Sequence, residues 1–138
     1  YKGVSHPALC DIIGHMTTRN YIAMFDDGSY HFIYKVFSWT GEIAKTENKG
    51  WADVRHIIDY QAEVAAGDLA EITAKLVKVG NKSITVAYKM ENLSKGQLAA
   101  TLQSTGVYFD LLARVAIPVT DSMKTAASGH MVSRQSIN

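Results

Sequence analysis

The sequence predicts an α+β fold in which a curved antiparallel sheet wraps one long central helix. Between about residues 18 and 34, apolar side chains recur at helical spacing on nearly all sides, which is typical of a buried helix. Four segments of alternating apolar and polar residues follow, joined by short turns. The 138 residues are 47% apolar, enough for a core. We therefore predict one domain over residues 1–138, with about 120–138 as a partly frayed C-terminal extension.

The predicted order begins with a short strand at residues 4–9, which Pro7 places at an edge or a bulge. Thr17 and Thr18 come before the apolar segment and are good N-cap residues, because a hydroxyl can accept the free amide hydrogens of a first helical turn. Gly28 lowers the stability of a helix interior. Its presence there indicates that a strand or a ligand approaches the helix closely.

Residues 36–50 are rich in turn formers and predict a loop. Strands are predicted at residues 51–64, 69–79, 83–90 and 97–112. Gly80 and Asn81 tolerate the positive φ of a tight hairpin turn between the second and third of these strands. Thr120 and Asp121 are suited to cap a short helix over residues 122–127, and residues 128–138 are predicted to form a frayed tail.

Composition excludes several classes of function. The formal net charge of +1 provides no global field that would attract nucleic acid or an anionic membrane. No uninterrupted apolar run approaches the length of about 18 residues that a spanning helix needs, and no secretory signal is recognised. Cys10 is the single cysteine, which excludes an internal disulfide and fits a reducing compartment. We expect a cytoplasmic protein without nucleic-acid or membrane partners.

The residues just before the helix carry the candidate chemistry. Free amide hydrogens at a helix N-terminus, helped by the helix dipole, can stabilise negative charge on a carbonyl oxygen. Asp11, immediately upstream, can act as a nucleophile or as a general base on water, or it can simply compensate the dipole. His15 can contact the reacting group, orient Asp11, or serve as a hydrogen-bonded loop histidine.

Two further kinds of site are disfavoured. Cys10 has no activating partner in the sequence, so a small buried apolar role is favoured over a nucleophilic one. His6, His31 and His56 lack metal-ligand spacing with cysteines or acids, so we predict no metal and no cofactor.

Three motifs together resemble one enzyme family. They are Asp11-x-x-Gly14-His15 followed by Asn20-Tyr21, the turn Gly67-Asp68, and the segment Gly80-Asn81-Lys82-Ser83. The pattern is similar to the 4-hydroxybenzoyl-CoA thioesterase-like branch of the hotdog-fold acyl-CoA thioesterases and covers roughly residues 4–115. Thr17 and Thr18 stand where many relatives have paired asparagines.

The resemblance implies a hotdog fold and hydrolysis of an acyl-CoA thioester at a dimer interface, in a homodimer or a dimer of dimers. CoA would be part of the substrate rather than a cofactor. The Thr18 amide would be the oxyanion donor, and the Gly14 amide can also point at the carbonyl. The implied catalytic residues are Asp11, His15, Thr18 and Gly14, and the implied substrate-binding residues are Asn20, Tyr21, Lys82 and Ser83.

Within the second group, Asn20 and Tyr21 are expected to lock the helix and line the acyl pocket. Lys82 and Ser83 follow a tight turn, where a cation and free amides can hold a CoA phosphate. The alternative for Lys82 and Ser83 is a solvated hairpin tip.

Two other functions remain open from the sequence. Hotdog hydratases and dehydratases use an Asp and a His with four residues between them, together with an Asn and a Pro. Three residues separate Asp11 from His15, and neither the Asn nor the Pro is present, which argues against that activity. A non-catalytic acyl-CoA-binding module would use the same pocket without turnover. The sequence does not specify the acyl group.

Overall fold

A computed structural model of the chain describes residues 1–131. Its long helix and its multistranded sheet confirm the predicted α+β class. In chain order the elements are β1 (Lys2–Val4), a 3-10 turn (Pro7–Leu9), α1 (Thr18–Phe37), α2 (Gly41–Glu47), β2 (Lys49–Tyr60), β3 (Leu69–Val79), β4 (Ser83–Asn92), β5 (Gln97–Asp110), β6 (Val115–Ala116) and α3 (Asp121–Ser128).

The strands form one sheet in the order β1-β3-β4-β5-β2, and β6 pairs with β5. Strand β1 runs antiparallel to β3 with Gly3 opposite Ala70. Strand β6 runs antiparallel to β5 with Phe109 opposite Ala116. Strand β2 stands at one end of the order, so within residues 1–131 its outer edge has no strand neighbour.

The elements with strong periodicity were predicted well. Helix α1 begins at the predicted Thr18 and runs three residues beyond the predicted end, and β3 has the predicted bounds. The predicted hairpin after β3 is present and is closed by a hydrogen bond of 2.7 Å from the amide of Gly80 to the carbonyl of Ser83, but neither Gly80 nor Asn81 has the predicted positive φ. Helix α3 is capped as predicted, since the Thr120 hydroxyl accepts from the Met123 amide at 3.2 Å. Residues 132–138 of the predicted tail lie outside the described residues.

Three local predictions were wrong. The first strand ends at Val4, and Pro7 opens a 3-10 turn because it has no amide hydrogen for a strand ladder. Strand β2 ends at Tyr60 rather than at residue 64. The predicted loop at residues 36–50 contains α2, whose start is capped by the Thr40 hydroxyl accepting from the Ile43 amide at 3.2 Å. Seven residues are too few for helical periodicity to be visible.

Contacts divide the described chain into two compact units. The first takes Tyr1–His31, Ile57–Ala74 and Tyr88–Leu102, and the second takes Phe32–His56, Lys75–Ala87 and the described chain from Gln103. The assignment of the whole chain to a single domain therefore stays a prediction.

In the first unit, α1 packs directly on strands of the sheet. The rings of Phe25 and Tyr88 meet edge to face with centroids 6.3 Å apart. A Cβ atom on Gly28 would lie 2.7 Å from Cγ2 of Ile72 on β3. Cβ atoms in proteins essentially never come this close to another side-chain atom. The approach of a strand predicted from Gly28 is thus observed, and it explains why a residue unfavourable to helices stands there.

In the second unit, an aromatic stack links the end of α1 to the sheet. The Trp51 ring lies 5.3 Å from the Phe37 ring and 5.2 Å from the Tyr108 ring. Tyr108 is buried, and that burial raises the pKa of its hydroxyl. Such aromatic pairs add to the stability that burial of their area supplies.

A buried carboxylate organises the turn before β3 in the first unit. Asp68 is 9% exposed and Asn92 is fully buried. Oδ2 of Asp68 accepts from the Asn92 amide group at 2.8 Å and from the Ala65 amide at 2.9 Å, and it pairs with Nζ of Lys95 at 3.2 Å. These contacts, led by the Asn92 hydrogen bond, hold the pKa of Asp68 below its ordinary value.

We expect Asp68→Asn to lower the free energy of unfolding at pH 7 by about 1–3 kcal/mol, because charge-assisted hydrogen bonds to buried groups are lost. Since the pKa of Asp68 is lower in the folded protein, its contribution is present above the unfolded pKa and disappears as pH falls through the folded pKa. The difference between variant and wild type should therefore shrink below about pH 4. Urea unfolding at pH 7 and pH 3 measures it.

Lys95→Met is the matched control, because it removes only a half-exposed ion-pair partner. It should cost less than about 1 kcal/mol. An Asp68→Asn loss of equal size at both pH values would contradict the assigned origin of the stability.

Candidate active site

The loop before α1 holds Asp11 through its own backbone. Oδ1 of Asp11 accepts from the amides of Ile13 at 3.0 Å and His15 at 3.2 Å. The Asp11 amide donates to the His15 carbonyl at 2.8 Å, and the Gly14 amide donates to the Asp11 carbonyl at 3.0 Å. Gly14 has φ +80°, a conformation that favours glycine. The side chain of Asp11 is exposed, and its Oδ2 accepts no hydrogen bond from residues 1–131.

The start of α1 is fixed by Asn20. The Thr17 carbonyl accepts from the amides of Asn20 at 2.9 Å and Tyr21 at 3.3 Å. The Asn20 side chain donates to the Leu9 carbonyl and to the Thr17 hydroxyl, each at 2.8 Å. The Thr18 amide, in the first helical turn, has no acceptor within the described part of the chain. It is one of the free donors that every helix start leaves available.

A cavity of about 300 Å³ lies beside this helix start. It is lined by Met16, Thr18, Tyr21, Tyr60, Gln61, Ala62 and Glu63. Tyr21 is 5% exposed, and its hydroxyl donates to the Ala62 carbonyl at 3.1 Å. Its ring meets the Tyr60 ring edge to face at 5.1 Å. Burial raises the pKa of the Tyr21 hydroxyl, which keeps that group a hydrogen-bond donor.

A side-chain contact connects the Asp11 loop to a wall of the cavity. Nε2 of His15 lies 3.3 Å from Oε2 of Glu63. Backbone hydrogen bonds on either side hold the two segments together, from the Met16 amide to the Val64 carbonyl at 2.7 Å and from the Ala66 amide to the Gly14 carbonyl at 3.1 Å. These bonds hold the two segments next to each other, so that the ring of His15 is within reach of Glu63.

The structure brings six of the eight predicted site residues together in the first unit. These are Asp11, Gly14, His15, Thr18, Asn20 and Tyr21. The Gly14 amide is engaged inside the loop, so a role for it as a donor to substrate stays a prediction. The contacts of Asn20 agree with the expectation that it locks the helix.

Lys82 and Ser83 lie in the second unit, at the hairpin between β3 and β4. Lys82 is exposed, and its carbonyl accepts from the Tyr108 amide at 2.8 Å. That backbone contact ties the hairpin to β5 and leaves the ammonium group in solvent. Binding of a CoA phosphate by Lys82 and Ser83 stays a prediction.

Sequence reasoning missed Tyr60 and Glu63. Both lie in or just beyond β2, and their positions in an alternating segment gave no sign of a cavity. The negative charge of Glu63 was a weak signal by itself. Only its pairing with His15, distant in sequence, distinguishes it from other surface acids.

Other kinds of site find no support in the described residues. Residues 1–131 contain no group of three His, Cys, Asp or Glu side chains placed to hold a metal ion. The predicted absence of a metal and of a cofactor stays a prediction. In the same range, no helix combines the length and the apolar character needed to cross a membrane.

Comparison with known families gives one extended match. The profile described as the thioesterase-like superfamily matches residues 5–127. A search among curated proteins found no match.

Solved structures share the fold at low sequence identity. A hypothetical protein from Staphylococcus aureus, solved in complex with CoA, has a TM-score of 0.87 at 16% identity, over 96% of this chain and 85% of that one. A 1,4-dihydroxy-2-naphthoyl-CoA thioesterase from Synechocystis has a TM-score of 0.81 at 18% identity, over 93% of each chain. These similarities confirm the predicted hotdog fold.

Proposed function

We propose that this chain, which belongs to the thioesterase-like superfamily, hydrolyses an acyl-CoA thioester to a free carboxylic acid and CoA. The observation that carries the proposal is the cavity at the start of α1, where the free amide of Thr18 stands beside the loop that holds Asp11. Thioester hydrolysis requires a donor for the developing oxyanion and a group that attacks the carbonyl carbon, and we assign these roles to the Thr18 amide and to Asp11.

In this proposal the thioester carbonyl oxygen accepts a hydrogen bond from the Thr18 amide. Negative charge that develops on this oxygen is stabilised by the amide and by the positive end of the α1 dipole. Asn20 supports the arrangement, because its two hydrogen bonds fix the backbone from which the Thr18 amide projects.

Asp11 supplies the attacking group, either as a nucleophile that forms a mixed anhydride or as a general base that activates water. One of its oxygens is occupied by two backbone amides, and the other is available. A carboxylate held in this way needs little reorganisation before it reacts.

For the rest of the substrate, we propose that Tyr21 lines the pocket for the acyl group and that Lys82 and Ser83 hold a phosphate of CoA. The Staphylococcus aureus protein of the same fold was solved with CoA bound, which supports CoA as the carrier of the acyl group. The lone Cys10 is compatible with a cytoplasmic location, which we also propose.

We propose a homodimer, or a dimer of such dimers, formed through the outer edge of β2. Exposed edges of this kind readily pair with another chain. On the part of β2 in the first unit, Ile57 is 43% exposed and Tyr60 is 45% exposed. Tyr60 also lines the cavity, so a second copy at this edge would adjoin the site. Light scattering after gel filtration measures the assembly.

A screen of thiol release tests the proposed activity. We expect the purified protein to release CoA thiol from at least one of acetyl-, palmitoyl-, isobutyryl- and benzoyl-CoA, with kcat of about 1 s⁻¹ or more for the best substrate. Thermal stabilisation by these esters without thiol release would indicate a non-catalytic binding module. Loss of the double bond of crotonyl-CoA without thiol release would indicate a hydratase.

A further inference from the structure

We propose that Glu63 is a second catalytic carboxylate of this site, the base that activates water to hydrolyse an acyl group carried on Asp11. This inference rests on the proposed thioesterase function and commits to the nucleophilic role of Asp11. The structural reason is that Glu63 contacts the surroundings of both proposed reacting groups. It lines the cavity together with Thr18, and it lies against His15 of the loop that holds Asp11.

The cavity places Glu63 where water and substrate would meet. Glu63 and Thr18 line the same space of about 300 Å³. An acyl carbonyl whose oxygen accepts from the Thr18 amide would therefore lie in the space that Glu63 helps to line. The Glu63 side chain is 72% exposed, so water reaches its carboxylate freely.

His15 connects the two carboxylates. Its backbone amide donates to Oδ1 of Asp11 at 3.2 Å, and Nε2 of its ring lies 3.3 Å from Oε2 of Glu63. Asp11 and Glu63 thus contact opposite ends of a single residue. His15 is a positioning residue in this arrangement, because it restrains the carboxylate of Glu63 on the side of the Asp11 loop.

The proposed reaction has two steps that balance. In the first, Oδ2 of Asp11 forms a bond to the thioester carbon, the C–S bond breaks, and the CoA thiolate takes a proton from solvent. In the second, Glu63 accepts a proton from water while the water oxygen bonds to the acyl carbon of the anhydride. The bond from that carbon to Asp11 breaks, the Asp11 carboxylate is restored, and Glu63 returns its proton to solvent.

A purely structural role for Glu63 would have different consequences. Exposed ion pairs contribute little to stability, typically up to about 1 kcal/mol. Removing the charge of Glu63 should therefore leave the fold intact, and a residue with only that role should leave both chemical steps intact as well.

The test is Glu63→Gln, with the acyl-CoA that the wild type cleaves fastest among acetyl-, palmitoyl-, isobutyryl- and benzoyl-CoA. We expect a rapid burst of about one thiol per site, followed by steady turnover at least about 10²-fold slower than that of the wild type. Acid-quenched Glu63→Gln should carry one acyl group by mass spectrometry. Peptide mapping should place this group on Asp11, and the double variant with Asp11→Asn should lack it.

Glu71→Gln is the control, because Glu71 is another paired glutamate of the first unit, 3.7 Å from Nζ of Lys2 and outside the cavity lining. It should turn over at the wild-type rate. Thermal unfolding of Glu63→Gln within a few degrees of the wild type confirms that the fold is kept.

The outcomes separate the inference from the function on which it rests. Normal turnover of Glu63→Gln, or slow turnover with neither a burst nor an acyl adduct, overturns the role of Glu63 and leaves the thioesterase activity standing. Absence of thiol release by the wild type from all four esters overturns the proposed function, and the inference with it.

Discussion

Asp11→Asn is expected to reduce kcat for the best acyl-CoA by about 10²- to 10⁴-fold while leaving the protein folded. The reduction follows because an amide is neither a competent nucleophile nor a base in this reaction. The fold should survive because Oδ1 of asparagine can accept from the amides of Ile13 and His15 as the aspartate does. Steady-state thiol release and circular dichroism measure the two properties.

The matched control for this substitution is Asp110→Asn. Oδ1 of Asp110 also accepts from two backbone amides, those of Leu112 and Ala113, each at 2.9 Å. Asp110 lies in the second unit, outside the candidate site, so its variant should keep wild-type turnover. Near-normal turnover of Asp11→Asn would exclude Asp11 from the chemistry and remove the central element of the proposed mechanism.

Thr18→Pro is expected to lower kcat by about 10²- to 10³-fold, because proline lacks the amide hydrogen proposed to stabilise the oxyanion. The first position of a helix accepts proline well, since the missing donor has no partner within the helix. The extended backbone usual for an N-cap residue also suits Thr17 as the residue before a proline. Helix α1 should therefore persist, which circular dichroism can verify.

Thr18→Ala separates the amide from the side chain. Alanine removes the hydroxyl and keeps the amide hydrogen, so its kcat should lie far closer to that of the wild type than the kcat of Thr18→Pro. Equal losses in both variants would assign the effect to the hydroxyl or to packing, and the Thr18 amide would lose its proposed role.

Local periodicity made much of the fold predictable. Helix α1 and strand β3 each bury side chains at regular intervals, and the spacing of apolar residues in the sequence shows that regularity directly. Gly80 and Asn81 located the hairpin as turn formers, although neither residue has the positive φ that the prediction assumed. Helix α2 escaped prediction because its stability comes from a cap at Thr40 and not from a periodic apolar face.

The candidate site was predictable only in its contiguous part. Asp11, Gly14 and His15 stand together in the chain, so their spacing and the resemblance to a family located the loop. Glu63 and Tyr60 reach the same place through pairing between segments far apart in sequence. No local pattern distinguishes them from the other polar and aromatic residues of a strand end.

By itself the sequence determined an α+β chain, a long helix and an acidic loop directly before that helix, because each depends on neighbouring residues. The prediction that the helix is buried on nearly all sides was wrong, since Tyr30 is 58% exposed and Tyr34 is 60% exposed on its outer face. The tertiary structure alone decided which oxygen of Asp11 is occupied, that the Thr18 amide is free beside a cavity, and that Glu63 stands opposite His15. These features depend on contacts between the loop before α1 and the residues that follow β2, which are far apart in the sequence. Such contacts form only when the chain packs, so the spacing of neighbouring residues does not reveal them.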